Sequence, residues 1–92
     1  MKCKTIEEVK QVLIDYDCED TIVFENPDYA EAFIGVDLDD RAVYDFEMMV
    51  QHLIKTDNMS YEEAAEFIDY NTVRSLPYVG DKAPIIIRNL VE

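Results

Sequence analysis

Apolar residues along the chain recur with two periods, and these divide it into helical and extended stretches. Ile6, Val9, Leu13 and Tyr16, with Val12 alongside, fall at three- and four-residue intervals, the stripe of a helix that buries one face. Ahead of them, Thr5-Ile6-Glu7-Glu8 has the form of a capping box, in which the Thr5 hydroxyl and the Glu8 carboxylate each satisfy an orphaned N–H of the first turn. The spacing predicts a helix from about Ile6 to Asp15, with Lys10 and Gln11 facing water.

After the polar break Asp17 to Asp20, Thr21-Ile22-Val23-Phe24 is β-branched and aromatic and predicts a strand. Asn26-Pro27-Asp28 stops it with turn chemistry. From Ala30 to Tyr44 two apolar arms, Phe33, Ile34 and Val36 on one side and Ala42, Val43 and Tyr44 on the other, flank Asp37-Leu38-Asp39-Asp40. That arrangement predicts a β-hairpin.

The strongest periodicity follows: Asp45 as N-cap, then Phe46, Met49, Val50, Leu53 and Ile54 on one helical face, opposite Glu47, Gln51 and Lys55. Thr56-Asp57-Asn58 ends this helix. Ser60 and Glu63 form a second capping box, with Met59 placed to staple onto Ala64. So short a loop predicts an antiparallel helical hairpin. The second helix runs through Ala64, Ala65, Ile68 and Val73, and Pro77 requires it to end by about Ser75 or Leu76. Gly80-Asp81-Lys82 is a turn. Ile85-Ile86-Ile87 is a closing strand that pairs either with Thr21 to Phe24 or with the hairpin.

The expected architecture is a single α+β domain over residues 1–92: an N-terminal helix, a small antiparallel sheet of three or four strands including the hairpin, and a helical hairpin packed on one face. At 10.7 kDa the chain builds one small core. With 49% apolar residues, two Gly and three Pro, it falls outside the collagen-like, low-complexity and disordered classes.

Charge changes the picture. Asp and Glu number 21 against 8 Lys and Arg, a formal net charge of −13, well beyond the ~2–8 of an ordinary small soluble domain. Residues 5–69 hold 19 of those acids against Lys10, Arg41 and Lys55. Such a chain does not bind phosphate backbones directly, because that needs clustered Lys and Arg. No apolar run approaches the ~20 residues that span a bilayer, and Met1-Lys2-Cys3-Lys4 leads into an amphipathic helix instead of a signal-peptide core. A soluble cytoplasmic protein is expected.

Candidate chemistry is sparse. Cys3 and Cys18 lack metal-ligand spacing and read as reduced thiols. His52 has no second His or Cys to complete a zinc site and reads as a boundary histidine. Asp37, Asp39 and Asp40 match the start of a calcium loop, but Ala42 and Met48 stand where that loop needs Gly and Glu. No nucleophile, glycine-rich phosphate loop or metal set accompanies the acids, so neither an enzyme nor a cofactor is expected.

Two acidic clusters remain. Asp15, Asp17, Glu19 and Asp20 sit at the end of the first helix, where the macrodipole disfavours negative charge. Asp37, Asp39 and Asp40 sit at the hairpin tip. These seven carboxylates are the candidate contacts for a basic protein partner, in particular a nucleic-acid-binding enzyme whose basic groove they occupy in place of phosphates. The alternative uses Asp69, Tyr70, Asn71, Thr72, Arg74 and Tyr78 as a small-ligand pocket or homodimer contact, with the acids serving solubility alone.

Three segments, Arg41-Ala42-Val43-Tyr44-Asp45, Met59-Ser60-Tyr61-Glu62-Glu63-Ala64 and Asp69-Tyr70-Asn71-Thr72-Val73-Arg74-Ser75-Leu76-Pro77-Tyr78, together with Ala83-Pro84-Ile85, give the chain a further likeness. From about Val36 to Ile87 it resembles a group of small acidic bacterial and phage-borne proteins. This chain has Asp39-Asp40 where Asp-Gly is expected at the hairpin tip. The resemblance carries no activity with it. It implies only what small acidic phage proteins often do, which is to inhibit host nucleic-acid enzymes of restriction or CRISPR type.

Overall fold

The computed structural model describes residues 3–90; Met1 and Lys2, part of the N-terminal reading above, lie outside them. Helix α1 spans Ile6–Asp15, and Thr5 Oγ1 accepts from Glu8 N at 3.2 Å as its cap. The reciprocal half of the box is displaced by one residue, since Glu8 Oε1 takes the Lys4 N–H (3.1 Å) instead of that of Thr5. Val9 and Leu13 are buried, whereas Tyr16 is 77% exposed and lies beyond the stripe it was assigned to.

The helix ends in a Schellman turn. Cys18 N donates to Leu13 O at 2.7 Å and Asp17 N to Ile14 O at 3.1 Å, with Asp17 left-handed at φ 60° where glycine is usual.

Thr21 to Phe24 is not a strand. It crosses the hairpin on side-chain bonds: Thr21 Oγ1 donates to Asp40 O at 2.8 Å, and Phe24 N donates to Tyr44 Oη at 3.2 Å. The segment has strand composition, but both hydrogen-bonding sides of the strand it approaches are already taken, as described next.

The hairpin is confirmed, both apolar arms forming its strands. Ala30–Ala32 forms a 3₁₀ turn, followed by β1 (Phe33–Val36) and β2 (Ala42–Asp45). These pair antiparallel, Phe33 opposite Tyr44 and Val36 opposite Ala42, with a bulge between Phe33 and Gly35. At the tip Asp40 takes the left-handed conformation (φ 62°) that a Gly would hold at no steric cost. Asp37 organises the turn, its Oδ1 accepting from Asp39 N (2.9 Å) and Arg41 N (2.8 Å).

β3 (Ile85–Ile87) lies on the other side of β2 and runs parallel to it, Val43 beside Ile85 and Asp45 beside Ile87. The sheet is therefore mixed and three-stranded, in order β1-β2-β3, and not the antiparallel sheet expected. The cause is topological: the largely helical crossover between β2 and β3 is long enough to carry the chain from the C-terminal end of β2 back to the end where β2 began, so the next strand runs parallel to it.

That crossover begins without a loop. Asp45 ends β2 and caps α2 (Phe46–Asp57), its Oδ1 accepting from Met48 N at 3.1 Å. Asn58 closes α2 in the left-handed conformation. Ser60 and Glu63 then form the full capping box of α3 (Tyr61–Phe67). Helices α2 and α3 pack together, and Tyr61 Oη donates to Glu47 Oε2 at 2.7 Å. Beyond Phe67 the helical backbone widens to a π segment at Ile68–Thr72, narrows to 3₁₀ at Val73–Ser75 and closes with the single turn α4, Leu76–Val79. The chain thus stays helical past the expected stop, because Pro77 falls in the first turn of α4, where its missing N–H leaves no bond unmade.

The core sits between α1, the sheet and α2. Its largest fully buried side chains are Tyr29, Tyr44, Met49, Leu53, Ile68, Val9 and Val50. Tyr44 is central, its ring 4.6 Å from that of Phe24 and 5.7 Å from that of Phe33. Among the described residues no helix is long and apolar enough to cross a membrane.

Candidate functional site

Folding brings the two acidic clusters together. The Schellman turn after α1 delivers Asp17, Glu19 and Asp20, and the hairpin tip delivers Asp39 and Asp40, to the walls of one hollow of about 290 Å³. Two tethers hold the walls: the Thr21 hydroxyl on Asp40 O, and the Cys18 thiol 3.6 Å from Asp40 Oδ1. Asp15 stands apart, accepting from Gln11 Nε2 at 2.9 Å on the side of α1. Asp37 is a turn-builder, spending a carboxylate oxygen on backbone N–H groups. Of the seven acids singled out in the sequence, five line the hollow and two do not.

Cations near this face are committed to carbonyls. Arg41 Nε donates to Ala83 O at 2.8 Å, and Lys82, which lines the hollow with the acids, donates from Nζ to Asp39 O at 2.9 Å. The ion pairs among the described residues, Lys10 with Glu25 and Lys55 with Glu31, use none of the seven acids. Among the described residues no three His, Cys, Asp or Glu side chains converge as metal ligands. Burial and the charges of Asp40 and Asp17 push the Cys18 thiol above its ordinary value, so it stays protonated at neutral pH.

In the segment from Asp69 to Tyr78 part of the polar groups bond the backbone of their own helical stretch. Asn71 Nδ2 donates to Phe67 O (3.1 Å) and Ser75 Oγ to Thr72 O (2.7 Å), so both serve the helical backbone at the π and 3₁₀ turns. Thr72 is buried, and the Arg74 guanidinium lies 4.2 Å over the ring of Tyr70. Asp69 and Tyr78 are exposed, the latter at 91%.

His52 borders the core, its ring edge-on to Tyr29 at 5.6 Å, with Nδ1 buried and unpartnered. The Tyr29 hydroxyl is also fully buried, with the Thr72 side chain as its polar neighbour.

Sequence reasoning missed a second hollow. Between α1 and β1 runs an apolar groove of about 520 Å³, walled by Val12, Tyr16, Phe33, Ile34, Val36 and Met48. Both free cysteines, buried Cys3 and half-buried Cys18, open onto it. The available signal was an excess of apolar side chains: Tyr16, Ile34, Val36 and Leu38 all remain exposed, more than a small sheet and one helix face can hide. Neither a protein-family description, nor a curated protein, nor a solved structure matches this chain.

Proposed function

We propose that this protein is a non-enzymatic binding module whose acidic face engages a basic surface on another protein and blocks it. The observation that carries the reading is the convergence of Asp17, Glu19 and Asp20 with Asp39 and Asp40 on one hollow, although about 20 residues separate them along the chain. Holding like charges together costs stability, and the cost is larger at the C-terminal end of a helix. A partner that supplies Lys or Arg removes it, and desolvated pairs of this kind set specificity and association rate.

The basic surface best matched to a domain of charge −13 is one built for a nucleic-acid backbone, where carboxylates compete with phosphates. An inhibitor of a nucleic-acid-handling host-defence enzyme, of restriction or CRISPR type, fits that description. The alternative, a homodimer or small-ligand domain built on Asp69 to Tyr78, is less well supported because Asn71 and Ser75 spend their polar groups on their own helix.

The test is affinity capture from cells carrying such enzymes, with washes at low and high salt. Wild type is compared with Glu19→Lys/Asp20→Lys/Asp39→Lys and with Arg74→Ala. The expected result is a basic enzyme retained at low salt, released at high salt, displaced by duplex DNA, lost by the triple variant and kept by Arg74→Ala. Capture unaffected by charge reversal but abolished by Arg74→Ala would transfer the function to the helical segment.

A further inference from the structure

The acidic hollow does not end at its carboxylates. Cys18 lines both it and the apolar groove between α1 and β1, so the two are adjoining parts of one depression. We propose that this depression takes an extended basic segment of the partner protein, laid along the open side of β1. Its apolar side chains fill the groove and its Lys or Arg side chains face Asp17, Glu19, Asp20, Asp39 and Asp40. The inference rests on the protein-binding reading above and adds the form of the ligand.

Three features of β1 support a strand as the occupant. Among the described residues β1 is paired with β2 alone and forms an edge of the sheet. Natural edges are blunted by short length, bulges, charge or proline; β1 is four residues long and bulged, but Phe33-Ile34-Gly35-Val36 carries neither charge nor proline to repel an incoming strand. At the bulge, Gly35 has φ 151°, and a Cβ placed there would meet nothing within 4 Å. The bulge accounts for the glycine's φ, and the open space beside it leaves room for another backbone to approach closely. Strand addition to such an edge draws affinity from main-chain hydrogen bonds and specificity from pockets for alternate side chains.

Charge decides whose strand it is. A second copy of this chain would bring another −13 against the same carboxylates, and like charges juxtaposed at an interface cost several kcal/mol. A segment alternating apolar and basic residues meets both halves of the depression. The C-terminal end of α1, which carries Asp15 and no basic residue in its last turn, also favours a cation there.

Fluorescence anisotropy on the full chain at low salt tests this with three synthetic decapeptides: Val-Lys repeats, oligo-lysine, and Val-Ser repeats. The expected order places Val-Lys about tenfold or more tighter than oligo-lysine, with Val-Ser weakest. Ile34→Thr/Val36→Thr, at partly exposed positions, should erase that advantage and leave oligo-lysine binding unchanged. The Glu19, Asp20 and Asp39 charge reversals should abolish both. Oligo-lysine binding as tightly as Val-Lys, or a preference that survives the Thr variant, overturns the strand proposal and leaves the acidic-face reading standing. Failure of both basic peptides to bind overturns that reading as well. Sedimentation of the free protein gives the remaining outcome: a dimer dissolved by Ile34→Thr/Val36→Thr would assign the groove to a second copy and refute a basic partner.

Discussion

Replacing Tyr44 with Phe removes one oxygen from the middle of the molecule, and the structure sets the size of the effect at both neutral and alkaline pH. The Tyr44 ring is fully buried, and its hydroxyl accepts the Phe24 N–H at 3.2 Å. That bond replaces the ladder hydrogen bond that Thr21 to Phe24 never makes. Without it a half-buried backbone donor is left unpaired, at about 1–2 kcal/mol. For a domain of this size that corresponds to a fall in Tm of roughly 5–10 °C.

Alkaline pH should close that gap. Burial pushes the Tyr44 phenol up from 10 to about 12, only partly opposed by its bond to Phe24. The folded chain therefore keeps a proton that the unfolded chain releases. This contribution is whole below pH 10 and is lost as pH rises through the folded value, with about 2 kcal/mol gone by pH 12. The Phe variant has no such proton to lose, so the gap between the two proteins narrows above pH 10 and closes near pH 12. Urea denaturation of both proteins at stepped pH measures the gap directly. Equal stability at neutral pH, or a gap constant from pH 8 to 12, would refute the argument.

Asp37→Ala should destabilise the hairpin by about 1–2 kcal/mol by removing the charge-assisted bonds its carboxylate accepts from the exposed Asp39 N–H and the part-buried Arg41 N–H; unchanged urea midpoints would show that the turn does not depend on that carboxylate. Asp17→Gly should gain about 1 kcal/mol by relieving a left-handed residue and removing charge from the end of α1. The same change should weaken binding of a basic peptide, so a variant that gained both stability and affinity would contradict the role given to Asp17. Ser60→Ala should cost about 1 kcal/mol by breaking the cap of α3. Because the Ser60 N–H bond holds the Glu63 carboxyl below its usual value, the cap's contribution is present above the ordinary Glu range and lost as pH falls through the lowered value. Ser60→Ala keeps that backbone N–H, so the variant that reads the linkage is Glu63→Ala, and a Glu63→Ala deficit that persisted undiminished in acid would exclude it.

Taken alone, the sequence determined what depends on neighbours within about four residues. Asp45 and Ser60 with Glu63 announce helix starts because the cap is a bond between a side chain and a backbone N–H three residues on. The hairpin, the three helices and the excess of acid are legible for the same reason, each being local or additive. Tertiary structure decided everything that required knowing which segments are adjacent. Thr21 to Phe24 has a strand's composition but finds β2 already flanked by β1 and β3. Ile85–Ile87 runs parallel because the long preceding crossover carries the chain back to the end where β2 began. Asp37 reads as one acid among seven until its hydrogen bonds show it building the turn. The acidic hollow and the apolar groove exist only where α1 meets the hairpin, since long-range packing, and no pattern along the chain, sets which distant side chains share a surface.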